Sequence, residues 1–284
     1  MTADGLEIRP AGTTPHQLAA YSELLSAVFG PAAKFRPDAI AWRYRDNPAG
    51  PVVGADAWAG DRLAAHYVTC PTPALIEGRP VRGLLSLNTA THPDFQKRGL
   101  FTRLAEHAYE AGAAAGYGFV TGVANAASTP GFTGKLGFQQ VAPLEAGFLL
   151  RSPRRFDDSP VQFEADWTAD LIAWRLANPA ARYTVGRRGA LTGVWARTGA
   201  PMIRCTAYLP ARIDNARRRA LPVGVGMFIG LEPRVSLRGL GFVPIPKALR
   251  PSPLNLIWRK LTGEAPDALD ARRVAINFLD FDPY

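Results

Sequence analysis

Leu85-Ser-Leu-Asn-Thr-Ala-Thr-His-Pro-Asp-Phe-Gln-Lys-Arg-Gly-Leu-Phe101 is the stretch from which the rest of the chain can be read. The Leu- and Thr-rich run 82–91 predicts a strand, the residues after it a tight basic loop, and Gly99 the start of a long helix reaching Gly116. Leu100, Leu104, Ala108 and Ala111 recur on that helix at helical spacing. Backbone N–H groups at a helix start point one way and lack partners within the helix, so they form an anion site. Gln96, Lys97 and Arg98 add donors and positive charge beside it, and Gly99 leaves room for a phosphate to approach the backbone. A pyrophosphate is the natural guest, although ordinary capping accounts for a basic turn before a helix equally well.

Outward from this loop, strands and helices alternate. Residues 5–9 read as a short strand, and Thr14 and Pro15 open a helix that Gly30-Pro31 closes. A second helix fits 37–45, two strands fit 52–58 and 63–70, and the apolar run 118–123 suits a buried central strand. A helix over 128–136 and a strand over 138–150 complete the first half, which argues for an α/β domain. The second half echoes the first. Asp38-Ala-Ile-Ala-Trp-Arg43 returns as Asp170-Leu-Ile-Ala-Trp-Arg175, followed in each case by Asn-Pro, at Asn47-Pro48 and Asn178-Pro179. This pattern predicts an internal duplication with a linker near 151–160. The matched Trp-Arg pairs fit helix docking better than a sugar platform. Val243–Leu254 reads as a Pro-rich loop and 274–281 as a closing strand.

Composition narrows the class. The chain has 284 residues, of which 47% are hydrophobic and 20% charged, with 14 Phe, 8 Tyr and 6 Trp, so it is not a largely disordered chain. No apolar run is long enough to span a membrane. The acidic start carries no basic-then-apolar leader, and two distant cysteines, Cys70 and Cys205, suit a reducing cytoplasm and exclude a zinc ribbon. Residues 1–150 hold 12 Lys/Arg and 12 Asp/Glu, whereas 151–284 hold 21 and 12, which accounts for the whole net charge of +9. A basic half can attract an anionic partner, but the run 217–219 is too short and too poor in aromatics for a nucleic-acid motif.

Gln96-Lys-Arg-Gly-Leu-Phe101 resembles the Gln/Arg-x-x-Gly-x-Gly/Ala signature with which the GCN5-related N-acetyltransferases (GNAT) grip the pyrophosphate of acetyl-CoA. The last position is Phe101 rather than Gly or Ala, with only its backbone expected to face the phosphate. Asn125 follows the buried strand, and Phe132-Thr-Gly-Lys-Leu-Gly-Phe138 is similar to the family's Phe-Tyr-x-Lys-x-Gly-Phe block. The resemblance covers roughly residues 5–150, and the weakened second copy looks like the tandem members of this superfamily. It implies an α/β fold with a mixed sheet: an acetyl-CoA-binding GNAT domain over 1–150, and a degenerate GNAT-like domain over 160–284 that completes the acceptor cleft. The second copy lacks the signature loop and is not expected to bind the cofactor.

The resemblance further implies acetyl-CoA, or another short acyl-CoA, as co-substrate, no metal, and a small-molecule primary amine as acceptor. Thr89, Ala90 and Thr91 would pair with the pantetheine arm, Gln96, Lys97, Arg98, Gly99, Leu100 and Phe101 would hold the pyrophosphate, and Asn125 would complete the site. Thr133 stands where the family's acid is a tyrosine, which leaves the proton donor open. The base is open as well. Ser86 and Asn88 are expected on one strand face, and neither titrates usefully. His66 reads as packed or surface, His92 as shaping the loop, His107 as core and Tyr109 as surface. Some tandem relatives return their C-terminus to the active site, which makes Asp282 a catalytic candidate. A non-catalytic acyl-CoA-binding module is the alternative reading.

Overall fold

A computed structural model of the chain describes residues 5–210, 224–246, 248, 252–281 and 283. The first half runs β1 (Glu7–Pro10), α1 (Pro15–Phe29), α2 (Pro37–Tyr44), β2 (Val53–Ala59), β3 (Arg62–Ile76), β4 (Arg79–Thr91), α3 (Leu100–Ala114), β5 (Phe119–Ala124), α4 (Thr129–Lys135) and β6 (Gln139–Pro143). After β7 (Glu145–Leu149) come β8 (Phe163–Ala165), α5 (Ala169–Leu176), β9 (Tyr183–Arg188), β10 (Leu191–Arg197), β11 (Ile203–Pro210) and β12 (Val225–Leu231). The chain closes with β13 (Phe242–Pro244), β14 (Asn255–Lys260), β15 (Val274–Asn277) and α6 (Phe278–Phe281). The mixed α/β class expected from the sequence is the class observed. Among the described residues no helix is long and apolar enough to cross a membrane.

Local chemistry accounts for most element ends. Thr14 caps α1 in a capping box with Gln17, Pro15 stands in the first turn, and Gly30 leaves the helix at φ 84°. The first core lies under α3 and includes Leu100, Leu104, Tyr67 and Tyr109. A second lies under α1 and α2 and includes Tyr21, Leu25, Ile40 and Tyr44. Neighbouring residues of a strand point to opposite faces, so Tyr67 and His66 of β3 enter these two cores from one strand.

Three expectations change. The buried face of α3 comprises Leu100, Leu104, Ala105, Ala108, Tyr109 and Gly112. It is rotated toward Tyr109, which is buried, and His107 is exposed instead. The expected strand over 138–150 is two strands that part at Leu144: β6 pairs with β14, while β7 pairs with β12 and β13. Pro143 at the break has no N–H to continue a ladder. The closing strand ends at Asn277, because Asn277 and Asp280 cap each other across a helical turn. Asn277 Oδ1 accepts from the Leu279 N–H at 3.0 Å, and Asp280 Oδ2 accepts from the Asn277 N–H at 2.6 Å.

The described strands join in one sheet in which the two halves repeat each other. In the first, the order is β6-β14-β5-β4-β3-β2; in the second, β13-β7-β12-β11-β10-β9. β4 and β5 run parallel, and so do β11 and β12. The antiparallel strand that lies along β5, and the one that lies along most of β12, come from the other half of the sequence. β14 lies on β5 from Asn255–Ala124 to Lys260–Phe119, and β7 lies on β12 from Gly226–Leu149 to Gly230–Glu145. A cut near residue 150 therefore separates β14 from the sheet it completes. A third core follows this exchange, placing Ala74, Val81, Phe119 and Leu144 beside Phe163, Leu256, Trp258 and Ile276. Trp258 stacks on Phe119 at 4.6 Å between centroids.

The Trp-Arg echo lies at the contact between the halves. Trp42 and Trp174 stack at 4.5 Å with 17° between planes. Each indole N–H donates to the other residue's carbonyl, at 3.2 Å from Trp42 and 3.1 Å from Trp174. A contact in which each residue does to its partner what the partner does to it has the form of a two-fold interface. This geometry matches helix docking, the reading preferred over a sugar platform.

Asp280 gives this region a pH dependence. It accepts from the Trp167 indole at 2.8 Å as well as from Asn277. Burial pushes its carboxyl up to about 7, against the opposing pull of those donors and of Arg175. The folded protein thus holds a proton that the unfolded chain releases, so between about pH 4 and pH 7 this group's contribution to stability falls as pH rises. The full effect is up to roughly 4 kcal/mol. The urea midpoint is expected to drop between pH 5 and pH 8, and Asp280→Asn to flatten that part of the profile. An unchanged slope in the variant would assign it to other groups.

Candidate active site

β4 and β5 begin side by side and then part. Their parallel ladder runs from Gly83–Phe119 to Ser86–Gly122 and stops, although β4 continues to Thr91 along β3 and β5 to Ala124 along β14. The β3–β4 register shifts between His66 and Val68, and opposite the shift Asn88 adopts φ 49°. This is a bulge, which bends and twists the strand that carries it. Beyond Ser86, the backbone of Leu87–Thr91 on the side of β5 has no ladder partner among the described residues. Such backbone can pair with an extended polar ligand as an added strand would. Thr89, Ala90 and Thr91 all lie in this stretch.

The loop beyond β4 turns tightly through residues 93–95, which His92 caps by accepting from the Asp94 N–H at 3.3 Å. Lys97 at φ 63° and Gly99 at φ 71° are both left-handed, and Gly99 precedes α3 with no side-chain cap. Alternating handedness of this kind turns successive N–H groups inward. Gln96, Lys97, Arg98 and Gly99 are exposed. The Arg98 guanidinium lies 5.2 Å from the Phe95 ring centre and donates to the Asp94 carbonyl. Phe101 turns its ring away from the loop, edge-on to Phe132 at 5.2 Å and to Tyr67 at 6.0 Å. The departure from the family signature therefore falls on a side chain that packs in the core. The uncapped helix start, the open space around Gly99 and the neighbouring cations fit a pyrophosphate.

A cleft of about 410 Å³ opens where β4 and β5 part, lined by Ser86, Asn88, Val123, Asn125, Lys34 and Phe281 among others. Two buried polar chains reach it. Ser86 Oγ lies 2.9 Å from the Tyr67 hydroxyl, which lies 2.5 Å from that of Tyr109. Burial pushes the Tyr67 hydroxyl up to about 12. Asn88 donates to the Tyr44 hydroxyl at 3.0 Å, and Tyr44 leads to His66, Asp56 and Tyr21. The expectation that Ser86 and Asn88 share one face is thus revised. Both line the cleft, but one is backed by the core under α3 and the other by the core under α1 and α2. The bulge at Asn88 interrupts the strand's alternation.

A family model for the acetyltransferase (GNAT) domain matches residues 7–141. Residues 7–141 are a GNAT domain. Over 90% of the chain the fold is similar to that of several solved proteins. An Enterococcus faecalis protein titled "Probable N-Acyltransferase" aligns at 9% identity and TM-score 0.63, over 90% of this chain and 73% of that one. Eis1 from Mycobacterium abscessus aligns at 12% and 0.58, over 90% and 73%. A tandem GNAT protein from the clavulanic acid biosynthesis pathway aligns at 12% and 0.53, over 90% and 99%. No curated protein matches the sequence.

Within the GNAT domain, the expected cofactor residues fall in two adjoining places. Thr89–Thr91 lie on the open edge of β4, and Gln96–Phe101 lie in the turn and first helical residues that follow it. Asn125 lies across the gap at the end of β5. Its Oδ1 accepts from the Ser128 N–H at 2.9 Å, so it also shapes the start of α4. His66 is packed, as expected for an isolated histidine, yet its partner Asp56 is also fully buried. Asp56, Tyr44 and Tyr21 escaped sequence reading because they come from β2, α2 and α1 and share no motif with His66. Asp282 lies outside the described residues. Thr133 donates to the Thr129 carbonyl at 3.0 Å, one turn back on its own helix. Thr133→Val is therefore expected to leave any acyl transfer within about twofold, since the hydroxyl is already engaged locally. A loss of tenfold or more in thiol-release rate would instead make Thr133 a proton donor.

Proposed function

We propose that this protein transfers an acetyl or other small acyl group from coenzyme A to the primary amine of a small molecule. The opening between β4 and β5 carries this reading: it has the uncapped start of α3 beyond one strand and the cleft holding Ser86 and Asn88 at its mouth. The N–H groups around residues 97–101, with Lys97 beside them, would hold the pyrophosphate. The free edge of Thr89–Thr91 would align the pantetheine arm, and one N–H there would donate to the thioester oxygen as negative charge builds on it. Acetyl-CoA, when bound, supplies an acyl carbon that carries a weakly basic thiolate as leaving group. The amine nitrogen bonds to that carbon, the C–S bond breaks, and the amine's surplus proton passes to solvent or sulfur. The second half of the chain supplies Phe281 and Leu254 to the acceptor side of the cleft. In this reading the partner is a small molecule met in the cytoplasm, with neither nucleic acid nor membrane involved.

Isothermal titration with acetyl-CoA, followed by thiol release in the presence of amino sugars, aminoglycosides and amino acids, tests the proposal. Binding together with amine-dependent thiol release is expected, and absence of binding would overturn it. Binding without release by any amine would favour a second reading, a module that holds acyl-CoA without turning it over. The engaged hydroxyl of Thr133, where the family has a tyrosine, is the observation on that side.

A further inference from the structure

The chain behind Asn88 has a direction. The Gly12 N–H donates to the Tyr21 hydroxyl at 3.1 Å, and Tyr21 donates to Asp56 Oδ2 at 2.6 Å. The other carboxylate oxygen, Oδ1, lies 2.6 Å from His66 Nδ1. A carboxylate only accepts, so Nδ1 carries the ring proton, and Nε2 of a neutral ring is left as an acceptor. The atom facing Nε2, at 3.1 Å, is the Tyr44 hydroxyl, which donates to it when the ring is neutral. Its oxygen is free to accept, and the group beside it at 3.0 Å is the Asn88 amide. Burial holds the Tyr44 hydroxyl well above the usual tyrosine range, so it remains a donor. Each bond in the series thus sets the polarity of the next, and the last one settles which way the Asn88 amide is turned. Its NH₂ faces Tyr44, which leaves its carbonyl oxygen for a partner in the cleft that Asn88 lines.

The backbone serves the same end. At φ 49° Asn88 is one of three non-glycine residues in the left-handed region among those described, a conformation that asparagine tolerates better than most residues. Asp56 and His66 are fully buried, far more so than the surface of a cleft requires. We propose that Asn88, held by the positioning residues Tyr44, His66, Asp56 and Tyr21, accepts a hydrogen bond from an N–H of the acceptor amine through its carbonyl oxygen. This rests on the acyltransferase reading and adds the group that orients the nucleophile. With one N–H held by Asn88, the nitrogen lone pair is free to face the acyl carbon.

Three variants and one spectroscopic measurement test it. Asn88→Gly removes the amide at no backbone cost, Asn88→Asp keeps an oxygen toward the cleft, and Tyr44→Phe deletes only the hydroxyl that orients the amide. Loss of one such hydrogen bond is expected to raise the amine KM about tenfold in Asn88→Gly, with the Kd for acetyl-CoA held within about twofold. Asn88→Asp should recover most of that loss, and Tyr44→Phe should show a smaller rise of the same kind. Nitrogen NMR of the labelled wild-type protein should show His66 protonated at Nδ1 and bare at Nε2. A protonated Nε2 would overturn the proposed orientation. So would an unchanged amine KM in Asn88→Gly while acetyl-CoA still binds. Failure of the wild-type protein to bind acetyl-CoA would overturn the acyltransferase reading itself, a result distinct from either.

Discussion

Gly99→Asp is expected to abolish acetyl-CoA binding, weakening it at least about a hundredfold, while the protein stays folded. Two features separate the effects. A Cβ at Gly99 meets no atom of the described residues within 4 Å, and the residue is exposed, so no core is disturbed. Its φ of 71° strains an L-residue by about 1 kcal/mol, with aspartate among the types that tolerate this region best. The added carboxylate, however, would stand where the N–H groups of α3 begin, and would occupy the place of the anion they are proposed to hold. Two like charges within contact distance at a partly desolvated site cost several kcal/mol, and about 2.7 kcal/mol corresponds to a hundredfold in Kd. Titration of the variant reads the affinity, and a urea melt reads the fold. Unchanged affinity would place the nucleotide elsewhere and remove the ground for the proposed reaction.

A fragment ending at residue 150 is expected not to fold, even though it contains all of the residues matched by the GNAT family model. Without β14, the inner edges of β5 and β6 lose their common partner. Leu256 and Trp258 are fully buried and Ile257 is 1% exposed. Removing them forfeits roughly 6 kcal/mol of apolar burial, at about 2 kcal/mol for each side chain. That is comparable with the whole stability of an ordinary domain, roughly 5–15 kcal/mol. The fragment would also expose the Phe119 face on which Trp258 stacks, together with β7, whose partners β12 and β13 lie in the removed half. Circular dichroism and a urea titration of the fragment test this. A cooperative transition with the midpoint of the full chain would show that the exchanged strand is dispensable.

Residues 85–101 were legible because their signals are local. Strand, turn and helix start each follow from composition within a few positions, and the anion-type geometry depends on backbone N–H groups whose direction any helix sets. The same holds for the cap of α1, where Thr14 and Gln17 are three residues apart. The Asn277–Asp280 capping pair was equally local and could have been read from its Asn-x-x-Asp spacing. The larger apolar residues of α3 alone do not define its buried face, because Ala105 and Gly112 belong to the stripe and turn it toward Tyr109 and away from His107.

What the sequence determined by itself, then, is the run of elements up to residue 136, the basic loop before α3, and the duplication visible in two Trp-Arg helices. Periodicity, capping and repetition need no knowledge of distant parts. Only the tertiary structure decided that each half would close its sheet with a strand from the other, and that Asp56, His66, Tyr44 and Asn88 would line up behind one cleft. A β-strand's side-chain pattern shows that it will be buried but does not name its neighbour. A polar residue in a core is likewise satisfied by whichever partner packing brings within about 3 Å. These choices depend on contacts between residues far apart in sequence, such as Trp42 with Trp174, 132 positions apart, and they exist only once the chain has folded.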